Sequence, residues 1–249
     1  MTKIDIISGF LGAGKTTLIK KLIEEAFTGE KLVLIENEFG EIGIDGGFLK
    51  DSGINITEMN SGCICCSLVG DFGTALAEVL EKYAPDRIII EPSGVGKLSD
   101  VIKAVLGVKE KVAEDSVVLN SFTTVADATK CKMYMKNFGE FYNNQVEHAG
   151  TIVLSRTGNM KEDKLQACID LIRTQNTEAS IITTPWDQIN GKQILDAMEK
   201  KNDLVKELLE EEDVCPECGH HHEHGEECDH EHHHHHDHDE CCCGHDHDE

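Results

Sequence analysis

The chain has 249 residues, and its 47 acidic side chains outnumber 23 basic ones to give a formal net charge of −24 at pH 7. That balance excludes a surface that holds nucleic acid or an anionic membrane by charge, and no apolar run approaches the roughly 18 residues of a membrane span. The length suits one α/β domain with a substantial core and leaves no space for a second full domain. With a first predicted strand that starts almost at the N-terminus, without a signal-peptide pattern, the expectation is a cytoplasmic protein whose clustered cysteines stay reduced.

The predicted strand Ile4–Ile7 runs into Gly9-Phe10-Leu11-Gly12-Ala13-Gly14-Lys15-Thr16, and an amphipathic helix, Thr17–Ala26, follows. G-x-x-x-x-G-K-[ST] between a strand and a helix is the P-loop pattern: glycines let backbone N–H groups close around phosphate oxygens, the lysine bridges them, and the threonine hydroxyl ligates Mg²⁺. The helix N-terminus adds the positive end of its dipole. Gly9, Gly12, Ala13, Gly14, Lys15, Thr16 and Thr17 are therefore candidate nucleotide ligands, with Lys15 catalytic and Thr16 a magnesium ligand. A glycine-rich turn without nucleotide is the bland alternative, and the flanking strand and helix argue against it.

The second predicted strand, Leu32–Ile35, opens onto Glu36-Asn37-Glu38-Phe39-Gly40-Glu41-Ile42-Gly43-Ile44-Asp45, a glycine- and acid-rich loop placed as a switch. After the strand Ile54–Ile56 comes Asn60-Ser61-Gly62-Cys63-Ile64-Cys65-Cys66. Three thiols within four residues in a reducing compartment can share one tetrahedral Zn²⁺ with a carboxylate such as Glu41; buried, unligated cysteines are the alternative. A helical pattern, Gly73–Tyr83, precedes the strand Arg87–Ile90, which ends in Glu91-Pro92-Ser93-Gly94. A carboxylate at that strand end holds Mg²⁺ or its water, and the Gly94 N–H meets a γ-phosphate. Glu91 and Gly94 are accordingly candidate catalytic residues, with Glu91 a second magnesium ligand.

Helices are predicted over Leu98–Leu106, Thr129–Asn137, Asn143–Ala149 and Lys161–Asn176, and strands over Val117–Phe122, Thr151–Leu154 and Ile181–Thr183. Alternation of this kind predicts a doubly wound, mostly parallel sheet that binds phosphate at the carboxyl ends of its strands. Cys131 and Cys168, isolated within helical patterns, read as structural. A last helix, Gln193–Glu212, divides the chain into a P-loop domain over 1–192, a helical segment over 193–213 and a tail over 214–249.

That tail holds 13 of the 14 histidines and 6 of the 11 cysteines, without a single lysine or arginine. Cys215, Cys218, His220, His221, His222, Cys228, His232, His233, His234, His235, His236, Cys241, Cys242 and Cys243 mix imidazole and thiolate among carboxylates. With almost no aliphatic side chains the segment cannot build a core, and it is expected to be disordered without metal. Zn²⁺, Ni²⁺ and Co²⁺ suit such ligands best. An expression tag is the alternative, but tags do not continue into an aspartate and a triple cysteine.

The P-loop from Gly9 to Thr17, Glu36-Asn-Glu-Phe-Gly40, the C-x-C-C of Cys63, Cys65 and Cys66, and Glu91-Pro-Ser-Gly94, in that order over roughly residues 1 to 190, together resemble the CobW-like GTPases, relatives of the nickel-insertion GTPases for urease and hydrogenase. The resemblance implies a GTP-hydrolysing metallochaperone of P-loop fold. Its cofactors would be GTP and Mg²⁺, with Zn²⁺, or Ni²⁺ or Co²⁺, on the C-x-C-C site, delivered under nucleotide control to a client metalloprotein, and homodimerisation across the nucleotide would fit. Relatives usually carry N-K-x-D after the strand that here ends at Leu154, where the aspartate pairs with guanine; this chain has Ser155-Arg156-Thr157-Gly158. Ser155, Arg156 and Asn159 are the candidate base-binding residues, with Asn159 or a backbone carbonyl standing in for the aspartate and the Arg156 stem covering the base. The helix and tail are expected in place of the separate C-terminal domain of many CobW-like proteins. No residue stands out as a catalytic base; Glu38 and Asp45 are the candidates. Two rival readings are a metal-storage buffer with a degenerate nucleotide domain and a nucleotide-driven activator of a metallo- or corrinoid enzyme.

Overall fold

A computed structural model describes residues 1–36, 56–60, 69–109 and 116–200. Glu41, Cys63, Cys65, Cys66 and all the tail ligands lie outside the described residues, as does the predicted helix beyond residue 200. In chain order the elements are β1 (Thr2–Gly9), α1 (Lys15–Glu25), β2 (Leu32–Glu36), β3 (Ile56–Asn60), α2 (Val69–Tyr83), β4 (Arg87–Glu91), α3 (Leu98–Lys109), β5 (Val117–Asp127), α4 (Cys131–Asn137), α5 (Gly139–Glu147), β6 (Thr151–Ser155), α6 (Glu162–Arg173), β7 (Ser180–Ile182) and α7 (Gly191–Glu199). The strands form one seven-stranded sheet in the order β3-β2-β4-β1-β5-β6-β7. Every pairing is parallel.

Both faces of a parallel sheet are covered, so its strands are apolar on both sides. Alternate residues divide cleanly here. Ile4, Ile6, Val33, Ile35, Ile88, Ile90, Ile152 and Leu154 point into one core, shared with apolar residues of α2 to α6. Ile7, Leu32, Leu34, Ile89 and Val153 point into the other, against α1 and α7. α7 starts from a capping box: the Asn190 side chain accepts from the Gln193 N–H at 2.9 Å and Gln193 Oε1 accepts from the Asn190 N–H at 3.1 Å.

β5 runs to Asp127, five residues past the predicted end. The extension passes through Thr123 and Thr124, both fully buried. Their polarity hides a strand from a reading based on apolar runs; in the fold the Thr124 hydroxyl donates to the Gln145 carbonyl at 2.5 Å. β3 likewise extends to Asn60, through the polar sequence Thr-Glu-Met-Asn.

At the amino-terminal edge of the sheet an ionic cluster gathers around the buried Arg87. Its guanidinium pairs with Asp5, with Glu30 at 2.6 Å and with Glu199 at 3.2 Å, and stacks 4.4 Å from the Phe27 ring. Burial alone lowers an arginine pKa, but the Glu30 and Asp5 carboxylates hold this one above its ordinary value. Among the described residues no helix is long and apolar enough to cross a membrane.

Candidate nucleotide site

The opposite, carboxyl-terminal edge collects the chemistry. β1 sits at the centre of the sheet between β4 and β5, with the chain leaving toward both sides, which is where an open α/β sheet forms its ligand crevice. Gly9 closes β1, and the following loop turns into α1 at Gly14, whose φ of 109° lies in the left-handed region that glycine adopts without strain. The Ala13 N–H donates to the Phe10 carbonyl at 3.1 Å, fixing the turn. Phe10 itself is buried against Tyr134, with ring centroids 4.6 Å apart, and against Phe138 at 4.9 Å. An aromatic cluster on α4 and its flank therefore anchors the loop from below.

Glu91 ends β4 beside the start of α1. The Thr16 hydroxyl donates to its carboxylate, 3.2 Å from Oε1 and 3.4 Å from Oε2, and Lys15 Nζ lies 3.9 Å from Oε1. The Lys15 and Glu91 side chains are 8% and 2% exposed, so their attraction is little screened. Strand register sets Glu36 beside Glu91, and Asn60 beside Glu36. The buried Glu91 carboxylate and the Thr16 hydroxyl, with the buried Glu36 on the adjacent strand end, offer oxygen donors of the kind hard cations prefer, while Lys15 adds positive charge beside them. The sequence reading found Lys15, Thr16 and Glu91; register alone brings in Glu36.

The loop after Glu91 presses on the P-loop. A Cβ on Gly94 would lie 2.8 Å from the Leu11 backbone nitrogen, so only glycine permits this approach. Gln145 of α5 secures the loop, its Nε2 donating to the Gly94 carbonyl at 3.1 Å and the Gly96 carbonyl at 2.8 Å. Gln145 was invisible in the sequence because it belongs to a helix remote from every motif.

At the other end, a cavity of about 340 Å³ opens between the P-loop and the ends of β6 and β7, lined by Ala13, Gly14, Thr17, residues 155–158 and residues 185–187. The Ser155 hydroxyl donates to the Ala13 carbonyl at 2.6 Å. Arg156, at φ 60°, sends Nη2 to the Gly12 carbonyl at 2.9 Å and Nη1 to Asp127. Asp127 is buried, and also accepts from the Thr129 N–H at 3.0 Å and hydroxyl at 2.6 Å. Trp186 Nε1 donates to the Leu154 carbonyl at 2.9 Å, and its ring would lie 3.2 Å from a Cβ on Gly14. Ser155 and Arg156 thus share a wall with the P-loop.

Asn159 does not share that wall. It lines a neighbouring cavity of about 720 Å³ whose lining also includes Cys131, Cys168, Lys132 and Lys164. Cys131 and Cys168 are buried free thiols in mutual contact. That contact draws the Cys131 pKa down and, together with burial, pushes that of Cys168 up.

Comparison with known proteins agrees with this geometry. Residues 3–183 match the family model described as CobW/HypB/UreG, nucleotide-binding domain. The zinc chaperone CobW of Sinorhizobium sp is 33% identical over 250 residues, covering 90% of this chain and 69% of that protein. The zinc chaperone YeiR of Escherichia coli K12 is 29% identical over 191 residues, 77% of this chain and 57% of that protein. This chain therefore spans 57% to 69% of the length of these two relatives. The crystal structure of Zn(II)-bound YjiA GTPase from E. coli superposes with a TM-score of 0.55 at 23% identity, covering 77% of this chain and 62% of that one, and shows the same fold. With the family model matched from β1 to β7 and the P-loop and Glu91 in place, the chain belongs to the CobW/HypB/UreG family of nucleotide-binding proteins.

Proposed function

We propose that this protein is a nucleoside triphosphatase, using GTP, that carries a transition metal ion, zinc first, on Cys63, Cys65 and Cys66 and releases it to a client metalloprotein under nucleotide control. The observation that carries the reading is the buried Lys15–Glu91–Thr16 arrangement behind a P-loop in a chain of this family. Relatives named zinc chaperones supply the metal.

In this reading the P-loop amides and Lys15 bind the β- and γ-phosphates, with the α1 N-terminus favouring their charge. Thr16 and Glu91 fit a magnesium ion by their oxygen donors and their 3.2 Å spacing, with Glu36 on the neighbouring strand end. Magnesium bound there neutralises charge on the phosphates. Water attacks the γ-phosphorus and the bond to the β-bridging oxygen breaks, leaving GDP and phosphate. The close approach of the Gly94 loop to Leu11 supports its response to a γ-phosphate, while Gln145 couples the loop's carbonyls to α5. The metal ion is cargo. Asn60, three residues before Cys63 in the sequence, ends β3 in register with Glu36, so β3 finishes at the same sheet edge as Glu36 and Glu91. The tail histidines and cysteines, from His220 and Cys215 onward, act as a feeder of ions.

The test is zinc affinity of the full-length protein in GDP and in a non-hydrolysable GTP analogue, beside turnover of GTP and ATP. A zinc affinity that differs between the two nucleotide states, and loses that difference in the Cys63→Ala, Cys65→Ala, Cys66→Ala triple variant, supports the reading. Retention of the difference in the triple variant overturns it, and absence of turnover points to a metal buffer.

A further inference from the structure

This inference rests on the nucleotide reading above. Guanine presents two adjacent donors, N1–H and the N2 amino group, and a carboxylate accepts from both; adenine offers no such pair. Residues 155–158 contain no carboxylate, so the residue that would distinguish the two purines has to come from elsewhere. We infer that Asp187, on the loop between β7 and α7, reads the guanine edge.

Four observations place it. The charged residues in the lining of the 340 Å³ cavity are Arg156 and Asp187. Arg156 is committed to Asp127 and to the Gly12 carbonyl, whereas the Asp187 carboxylate has no hydrogen-bond or ion-pair partner among the described residues. The loop is held in position: Gln188 N–H donates to the Pro185 carbonyl at 2.9 Å, closing a turn with Asp187 at its third position, and the preceding Trp186 is tied to the end of β6. Finally, Pro185 occupies the side of Gly158 where a side chain would project, 3.7 Å from a Cβ built there. The loop therefore lies in contact distance of position 158, where the relatives' N-K-x-D aspartate would stand, and brings its own carboxylate. A second polar group lies in the same lining, the buried Thr157 hydroxyl, which has no hydrogen-bond partner among the described residues.

The chemistry gives a signature that a structural role would not. Asparagine offers one acceptor and one donor where aspartate offers two acceptors, and so matches xanthine, which carries N1–H beside a carbonyl. Binding of GDP, ADP and XDP by the full-length protein and its Asp187→Asn and Asp187→Ala variants is measured by titration calorimetry. The wild type should prefer GDP over ADP and XDP by about tenfold or more, the range of one bidentate base contact. Asp187→Asn should lose that preference and gain XDP binding by a similar factor; Asp187→Ala should lose it and gain nothing. Equal binding of GDP and ADP by the wild type, or an unchanged GDP to XDP ratio in Asp187→Asn, overturns the inference while leaving the nucleotide reading intact. Failure of the wild type to bind any of the three overturns both.

Discussion

The two ends of the nucleotide site are built by different means. The proposed phosphate end is one continuous stretch from Gly9 to Thr17, joined by carboxylates on two neighbouring strand ends, Glu91 and Glu36. The proposed base end is assembled from the strand end at 155–158 and the loop at 185–187, nearly thirty residues apart, with Trp186 bonded to the Leu154 carbonyl and Pro185 beside Gly158. Backbone amides bind phosphate in any chain able to adopt the turn, so that end is dictated by local conformation. The base end depends on side chains meeting across a gap, and different loops can supply the same contact.

Breaking the phosphate end should have the largest effect. Lys15→Ala removes a buried cation that faces Glu91, and should slow hydrolysis by roughly 10²- to 10³-fold, the range for losing one group that stabilises transition-state charge. GTP and ATP should suffer alike, because the lysine sees only phosphate; a change in their ratio would blur the division between the two ends. Next comes Gly94→Ala, whose methyl would lie 2.8 Å from the Leu11 nitrogen. Turnover should fall by roughly tenfold or more with GDP affinity nearly unchanged, if the displaced loop meets the γ-phosphate as proposed. Loss of both in parallel would mean the P-loop itself had been deformed.

The same contrast explains what could be read before folding. The alternating strands and helices, and the P-loop with Glu91, were legible because each is a short-range pattern of apolar spacing or backbone geometry. Asp127 was missed because the polar pair Thr123–Thr124 concealed the end of β5. Glu36 stood in a recognised motif, but its place beside Glu91 is a consequence of strand register, which no local pattern encodes. Asn159 is expected near the base because it follows Ser155-Arg156 closely; in the fold residues 155–158 line the 340 Å³ cavity, whereas Asn159 lines the neighbouring one. Gln145 and Trp186 act through hydrogen bonds to carbonyls 49 and 32 residues away.

Trp186→Phe should act on the base end alone. Phenylalanine keeps an aromatic ring, though a smaller one, and has no N–H to donate to the Leu154 carbonyl, a loss of about 1 kcal/mol. GDP affinity should weaken by roughly fivefold, and inorganic phosphate release in a saturated turnover assay should hardly change.

The smallest effect tests the edge remote from both ends. Glu199 joins α7 to Arg87, Lys3 and Asn120 at 3.2, 3.0 and 3.0 Å. Burial pushes its pKa up, but hydrogen bonds from Lys3, Asn120 and Arg87 outweigh burial and leave it below the ordinary 4.5. A carboxyl depressed by folding stabilises the folded state fully above its unfolded pKa, and the benefit disappears as pH falls through the folded value. With the side chain 30% exposed, solvent screening limits the contribution to about 1 kcal/mol or less. Glu199→Gln should therefore lower the thermal midpoint by a few degrees at most at pH 7, the difference from wild type should shrink below about pH 4, and affinity for GDP should be the same in both. A gap that widened in acid would instead mean that the fold favours the neutral Glu199 carboxyl, and would overturn the downward shift.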